Sequence, residues 1–583
     1  MSLEPELSQR KQQAARRSVN ASSSEPSFGI GARIAAATCG CRNRSPSWYP
    51  GRDDTVQSMP SKLRKYLSGQ HSWQMLVSTS RISLTKGARM SVHWPILRRC
   101  LTRPFEVAMV DDQREWKRIE LLVAALHMAS HIEAKSQTRN VGVMLPTSGA
   151  FPVAALACWI LGRTAVPLNY LLREQELQYV IDDCETDIVI SASKLLDFLG
   201  YEPQVKTLTR MDSLSFKGFP DIRLPARASD DDLAVLLYTS GTSGKPKGVM
   251  LTHGNLQANV QQAVEHARFT KDSTLLGVLP QFHSFGLTVL TILPLTIGNR
   301  AIYTARFVPQ QIVKLVRKHK PHAFIGIPSM YGALLKLKNA GPGDFRSLRY
   351  AVSGAEPLPD DIAQRFNERF EVRISEGYGL TETSPVTNMC QPWDYKRHSV
   401  GPCVPRLDCR IVDPETEKKL EAGCEGEIRF RGPNIMKGYF KLEDETAQAF
   451  DEAGFFRTGD IGRMDKDGHL FITGRLKEML IVGGENVFPR EIEEVLNAHP
   501  SIHASAVIGR SCSIRGELPV AFVELEEGAS FDEGALKSHC KQSLAGYKIP
   551  REIRVLDELP RNPTGKIMRR ALGPLIEADS MNA

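Results

Sequence analysis

The chain has 583 residues, 42% of them apolar, and a formal net charge of +8. At about 150 residues per domain, that length corresponds to about three or four structural units. The longest nearly unbroken apolar run, 150–162, is shorter than the roughly 20 residues that span a bilayer, so an integral membrane protein is not expected.

The charge is unevenly placed. Residues 1–89 hold 14 Lys/Arg against 5 acids, a surplus of +9, so the rest of the chain carries −1. This stretch is rich in Ser, Arg and Gln and has no sustained apolar period, so it reads as a disordered basic extension. Glu4 and Glu6 sit where a transit peptide wants no acids, and no apolar core of a secretory signal is present. Met90 offers an alternative start. Taken alone, the basic stretch would suggest an anionic partner. The body is nearly neutral, so no nucleic-acid partner is expected. The 11 cysteines are scattered, with none of the short paired spacing of a zinc site, and read as reduced thiols of a cytoplasmic protein.

From about Ser91 strands and helices alternate. The pattern predicts strands at 140–145, 187–190, 233–238, 274–279, 323–327 and 348–352. Helices are predicted at 151–161, 173–184, 255–267, 310–318 and 360–370. Such alternation implies parallel sheets covered on both faces, with ligands at the carboxyl ends of the strands. Near Gly474 the texture changes. Helices at 489–499 and 532–544 and strands at 504–508, 520–525 and 552–556 make a compact α+β module.

The strongest local signal is Leu-Leu-Tyr-Thr-Ser-Gly-Thr-Ser-Gly-Lys-Pro-Lys-Gly over 236–248. A strand runs into the hydroxyls of Thr239, Ser240, Thr242 and Ser243, the glycines Gly241 and Gly244, and the cations Lys245 and Lys247. Glycines let backbone approach a polyphosphate, and N–H groups, hydroxyls and lysines bind its oxygens. Pro246 after Lys245 rules out the Walker-type loop, which enters a helix.

This segment resembles the signature of the acyl-adenylate-forming superfamily of acyl-CoA synthetases, luciferase-type enzymes and adenylation domains. Further motifs occur in that family's order, so the likeness spans about Trp94 to Leu572. The resemblance implies a fold, a reaction and a set of site residues. The fold is α/β: a large N-terminal domain of mostly parallel α/β sheets (90–474), a hinge (475–477) and a small mobile C-terminal α+β domain (478–583).

In Ser-Glu-Gly-Tyr-Gly-Leu-Thr-Glu-Thr-Ser-Pro at 375–385, Glu382 matches the magnesium-binding carboxylate and Thr239 its hydroxyl partner. Tyr378, with Gly379 and Thr381 beside it, matches the aromatic that stacks on adenine. Gly354, Ala355 and Glu356 match the loop along the adenine and acyl pocket. Asp460 resembles the carboxylate that accepts from both ribose hydroxyls, and Arg475 the cation on ribose and phosphate. Lys477 matches the hinge position. Lys566 matches the lysine bridging the acyl carboxylate and the α-phosphate. His283 matches the acyl entrance. The Gly483-Gly484 pair matches the loop that swings in to admit the pantetheine thiol.

The implied reaction uses ATP, Mg²⁺ and coenzyme A. A carboxylate attacks the α-phosphorus and releases pyrophosphate, then the thiol displaces AMP. Phe282 and the apolar stretch 323–327 favour a fatty acid of medium or long chain over an amino acid. Three alternatives stand beside this reading: acyl carrier protein as acceptor, a different carboxylic acid, and a nucleotide-binding protein without catalysis. Membrane contact is expected to be peripheral at most.

Overall fold

A parallel strand covered on both faces needs only a few apolar residues, and here such runs build the centre. Ile188–Ser191, Ala323–Gly326 and Tyr350–Ser353 are buried at every position. The computed structural model describes residues 91–240, 245–512, 515–561 and 567–580. The extension expected over 1–89 lies outside the described residues. All of the described residues belong to one unit, Gly87–Ala583.

Two large sheets dominate. The eight-stranded sheet runs Val386–Met389, Ile374–Gly379, Tyr350–Ser353, Ala323–Gly326, Thr274–Gly277, Arg300–Tyr303, Val107–Val110, Glu115–Lys117. Its inner neighbours are parallel, and only the two edge strands are antiparallel. The seven-stranded sheet is parallel from Leu233–Ser240 through Thr164–Pro167, Asn140–Val143 and Ile188–Ser191 to Thr207–Arg210. The helix Ala150–Ile160 is buried from Phe151 onward, and one core takes in its side chains and those of both sheets.

After the glycine-rich segment the chain returns as the antiparallel strand Pro246–Thr252 and then enters a helix, His253–Ala267. Thr252 caps that helix: its hydroxyl accepts from the Asn255 N–H, and the Asn255 side chain accepts from the Thr252 N–H at 3.0 Å. The strand–helix alternation expected from sequence is present throughout this half.

Two smaller sheets follow. Asp408–Val412, Glu425–Arg431, Phe456–Met464 and Leu470–Arg475 form a four-stranded antiparallel sheet that the sequence reading passed over. The C-terminal sheet has five strands, including Ile502–Cys512 and Gly516–Leu525. Its core gathers Ile492 and Leu496 from Pro489–Asn497 and Leu536 and Cys540 from Glu533–Ser543. The molecule is thus a large α/β part of mostly parallel sheets followed by a smaller α+β part.

Among the described residues no helix is long and apolar enough to cross a membrane. The described cysteines are free thiols. Burial pushes Cys100, Cys158 and Cys184 up to about 12 and Cys390 up to about 11.

Candidate functional site

The carboxyl ends of the inner strands open into a cavity of about 890 Å³. Thr239 reaches it from the end of Leu233–Ser240, and Lys247 from the returning strand. Gly354, Ala355 and Glu356 follow Tyr350–Ser353, and Tyr378 and Gly379 end Ile374–Gly379. Thr381, Glu382, His283, Arg475 and Lys477 complete the predicted residues that line it. Strand ends converge in space although their residues are scattered along the chain.

Two glycines are required by close approach. A Cβ on Gly286 would stand 2.0 Å from the Pro280 carbonyl oxygen, and one on Gly379 would stand 1.8 Å from that of Pro385. Gly286 lets the 280–286 loop close on itself. His283 then caps the turn Ser284–Leu287, its Nδ1 accepting from the Phe285 N–H at 3.4 Å. Gly379 lets Tyr378 lie against the neighbouring strand. Ala355 holds a left-handed φ of 69°, which costs a non-glycine residue roughly 1 kcal/mol.

The charged groups form linked pairs. Asp460, 3% exposed, is paired with Arg475 at 2.7 Å, and its other oxygen accepts from the Tyr378 hydroxyl at 2.5 Å. Asp460 holds Arg475 above its ordinary pKa, and burial together with Asp460 raises the Tyr378 phenol well above its own. Asp460 itself lies behind the wall, while Thr458 and Gly459 line the cavity. Glu382 accepts from the Tyr439 hydroxyl at 3.0 Å, and burial raises its carboxyl from the ordinary range. Lys247 Nζ lies 5.4 Å from the Tyr439 ring centre. The carboxylate of Glu382 and the hydroxyl of Thr239 are hard oxygen donors, which suit a divalent cation shared with phosphates.

One stretch of the wall is apolar. Ala263 and Ala267 of His253–Ala267 face the cavity together with Phe269, Val289, Leu293, Ile325 and Met330. Its polar members are His266, whose Nε2 bonds the Met389 carbonyl at 2.8 Å, and Asn388. Burial lowers the His266 pKa from its ordinary value.

Some predicted residues are not brought to this cavity. Lys245 is exposed and lies 5.5 Å from the Tyr179 ring centre. Gly483 and Gly484 form an exposed turn with φ of 65° and 92° between Leu480–Val482 and Glu485–Val487. Ser240 ends its strand. Gly241, Thr242, Ser243, Gly244 and Lys566 lie outside the described residues. Sequence reasoning missed Tyr439, Glu427, Ser284 and Glu478, which also line the cavity. Ser284 and Glu478 lie inside sequence motifs, 280–286 and 474–478, whereas Tyr439 and Glu427 lie in none.

Residues 97–440 match the family described as AMP-binding enzyme, and 491–566 match the AMP-binding enzyme C-terminal domain. The chain is 32% identical over 501 residues to a long-chain-fatty-acid–CoA ligase of Bacillus subtilis (strain 168), covering 78% of this chain and 89% of that protein. It is 30% identical over 493 residues to 4-coumarate-CoA ligase 1 of Narcissus pseudonarcissus, covering 80% and 89%. The crystal structure of ATP-bound MatB from Rhodopseudomonas palustris superposes with a TM-score of 0.76 at 31% identity, covering 84% of this chain and 99% of that one.

Proposed function

The chain belongs to the AMP-binding enzymes, ATP-dependent ligases that join an acid to a thiol through an acyl-adenylate, and we propose that its acid is a medium- or long-chain fatty acid. ATP with Mg²⁺ and coenzyme A are its other substrates. One observation carries the choice of acid: the apolar wall of Ala263, Ala267, Phe269, Val289, Leu293 and Met330 is continuous with the polar wall of Glu382, Lys247 and Arg475. A carboxylate among the cations and an alkyl chain along the apolar wall would satisfy both.

Each residue then has a task. The Tyr378 ring offers a face for the base, and Ala355 and Glu356 its edge. Asp460, with Arg475, takes the ribose hydroxyls. Lys247 and the hydroxyl of Thr239 take phosphate oxygens. Glu382 would hold Mg²⁺, which supplies charge neutralisation on the phosphates. The protein contributes position and charge and forms no covalent bond to substrate. As the acid attacks the α-phosphorus and pyrophosphate leaves, Lys566 bridges the two anionic groups. The small domain (478–583) then turns about Lys477 against the large domain (90–474), and the thiol of coenzyme A displaces AMP. Lys477 sits in the single turn Leu476–Glu478, between the four-stranded and the C-terminal sheets.

The test is AMP release with ATP, Mg²⁺, coenzyme A and a chain-length series of acids. No acid-dependent AMP from any fatty acid would refute this reading. Replacing coenzyme A with acyl carrier protein that bears a free phosphopantetheine thiol separates the two acceptors. A second reading rests on Asn388, whose buried Oδ1 has no hydrogen-bond partner within the protein. It favours an acid with a hydroxyl group at its far end. A hydroxyaryl acid outrunning every alkyl acid in the same assay would establish that reading.

A further inference from the structure

Glu427 lines the cavity yet is 4% exposed, and no part of the proposed chemistry uses it. It stands on Glu425–Arg431 opposite Phe456–Met464. The register there slips: Glu427 pairs with Ile461, but Arg429 pairs with Arg457. One residue on the first strand therefore faces three on the second, residues 458–460. Such a bulge re-aims side chains and leaves backbone groups without ladder partners.

Glu427 meets that need. Its Oε1 accepts from the Gly459 N–H at 3.2 Å, and its Oε2 accepts from Arg429 Nε at 2.7 Å. The Thr458 hydroxyl donates to the Ile428 carbonyl at 2.6 Å and accepts from the Asp460 N–H at 3.0 Å. The bulge is thus tied to Glu425–Arg431 by two side chains, Glu427 on the N–H of Gly459, whose φ is 68°, and Thr458 on the Ile428 carbonyl. Arg429, almost fully buried, also pairs with Glu417 at 2.6 Å and Asp451 at 3.1 Å. Burial works against its charge, but these carboxylates outweigh burial and hold its pKa above the ordinary value. Glu417, shared with Arg457, and Asp451 already supply the counter-charge of Arg429. Glu427 is the one of the three that also reaches the bulge.

We propose that Glu427 is a positioning residue for nucleotide binding, holding residues 458–460 so that the Asp460–Arg475 pair, of which Arg475 lines the cavity, is presented to the ribose. The proposal rests on the role of Asp460 given above. Glu427 acts through the backbone of Gly459 and forms no contact with the reacting atoms.

The experiment measures KM for ATP, acid and coenzyme A in Glu427→Asp and Glu427→Gln, each alone and combined with Asp460→Asn. The Asp variant keeps the charge beside Arg429 but falls one methylene short of Gly459. It should raise KM for ATP about fivefold, the net worth of one hydrogen bond. The Gln variant has one acceptor oxygen for two donors; its oxygen turns to the charged Arg429, the bond from Gly459 is lost, and KM for ATP should rise about as much as in the Asp variant. KM for acid and coenzyme A should not move. On the Asp460→Asn background the Asp variant should add little, because the two act as one unit. Fully additive effects would overturn the proposal. So would a lowered Tm with KM for ATP unchanged, which would make Glu427 only a counter-ion of Arg429. If Asp460→Asn itself left KM for ATP unchanged, the ribose assignment would fail, and the proposal with it.

Discussion

Replacing Ala263 by Leu tests where the alkyl chain lies. Ala263 sits on the cavity side of His253–Ala267 and is 9% exposed, so a larger side chain enters the cavity. Leu would displace about three substrate methylenes, and at about 0.8 kcal/mol each the longest acid loses about 2.4 kcal/mol. That is about fiftyfold in kcat/KM. An acid short enough to end before Ala263 should be unchanged. The assay is kcat/KM by AMP release across the chain-length series, with the shortest active acid as internal control. The longest acid should fall and the optimum should move to shorter chains. An equal fall at every length would report general damage, and no change at any length would place the chain elsewhere. Either result refutes the argument.

Three further expectations can be tested. Lys566→Ala should abolish acid-dependent adenylation, read as pyrophosphate exchange, while largely sparing thioester formation from supplied acyl-AMP. Equal loss of both half-reactions would remove its bridging role. Glu382→Gln should raise the Mg²⁺ concentration for half-maximal activity about tenfold, with an unchanged requirement arguing against a cation at that carboxylate. Glu376 gives a pH prediction: burial pushes its carboxyl from 4.5 to about 7. Below pH 4.5 it is neutral in both states, and its contribution to stability is complete. Between 4.5 and 7 the unfolded chain ionises while the folded one keeps its proton, so up to about 3 kcal/mol is lost as pH rises. Denaturation midpoints from pH 5 to 8 should fall more steeply for the wild type than for Glu376→Gln, and parallel slopes would contradict it.

The strand–helix alternation was legible because doubly covered strands are short apolar runs with no polar interruption, as in Ala323–Gly326. The four-stranded sheet was not. Glu425–Arg431 reads as a charged surface segment, and only the fold shows that Arg429 is buried among Glu417, Glu427 and Asp451. The same distinction governs the cavity. Thr239, Tyr378, Glu382 and Arg475 could be named because each belongs to a contiguous motif at a strand end. Tyr439 could not, since its meaning lies in a hydrogen bond to Glu382, 57 residues away. Nor does the sequence reveal that Asp460 sits opposite Arg475 in the strand register and is already engaged by it.

The buried thiols have a chemical consequence. An acyl-adenylate is an activated electrophile, and any thiolate beside it competes with the intended acceptor. The thiolate is the nucleophile, and the thiol is inert by comparison. Cys390, next in sequence to the cavity residue Met389, is pushed up to about 11, and Cys100, Cys158 and Cys184 to about 12. At neutral pH these groups are almost wholly protonated. Beside the wall of the cavity, Cys390 is thus a sulfur nucleophile that desolvation holds in its inert, protonated form. An incoming solvated thiol meets no such desolvation and is the more competent nucleophile of the two.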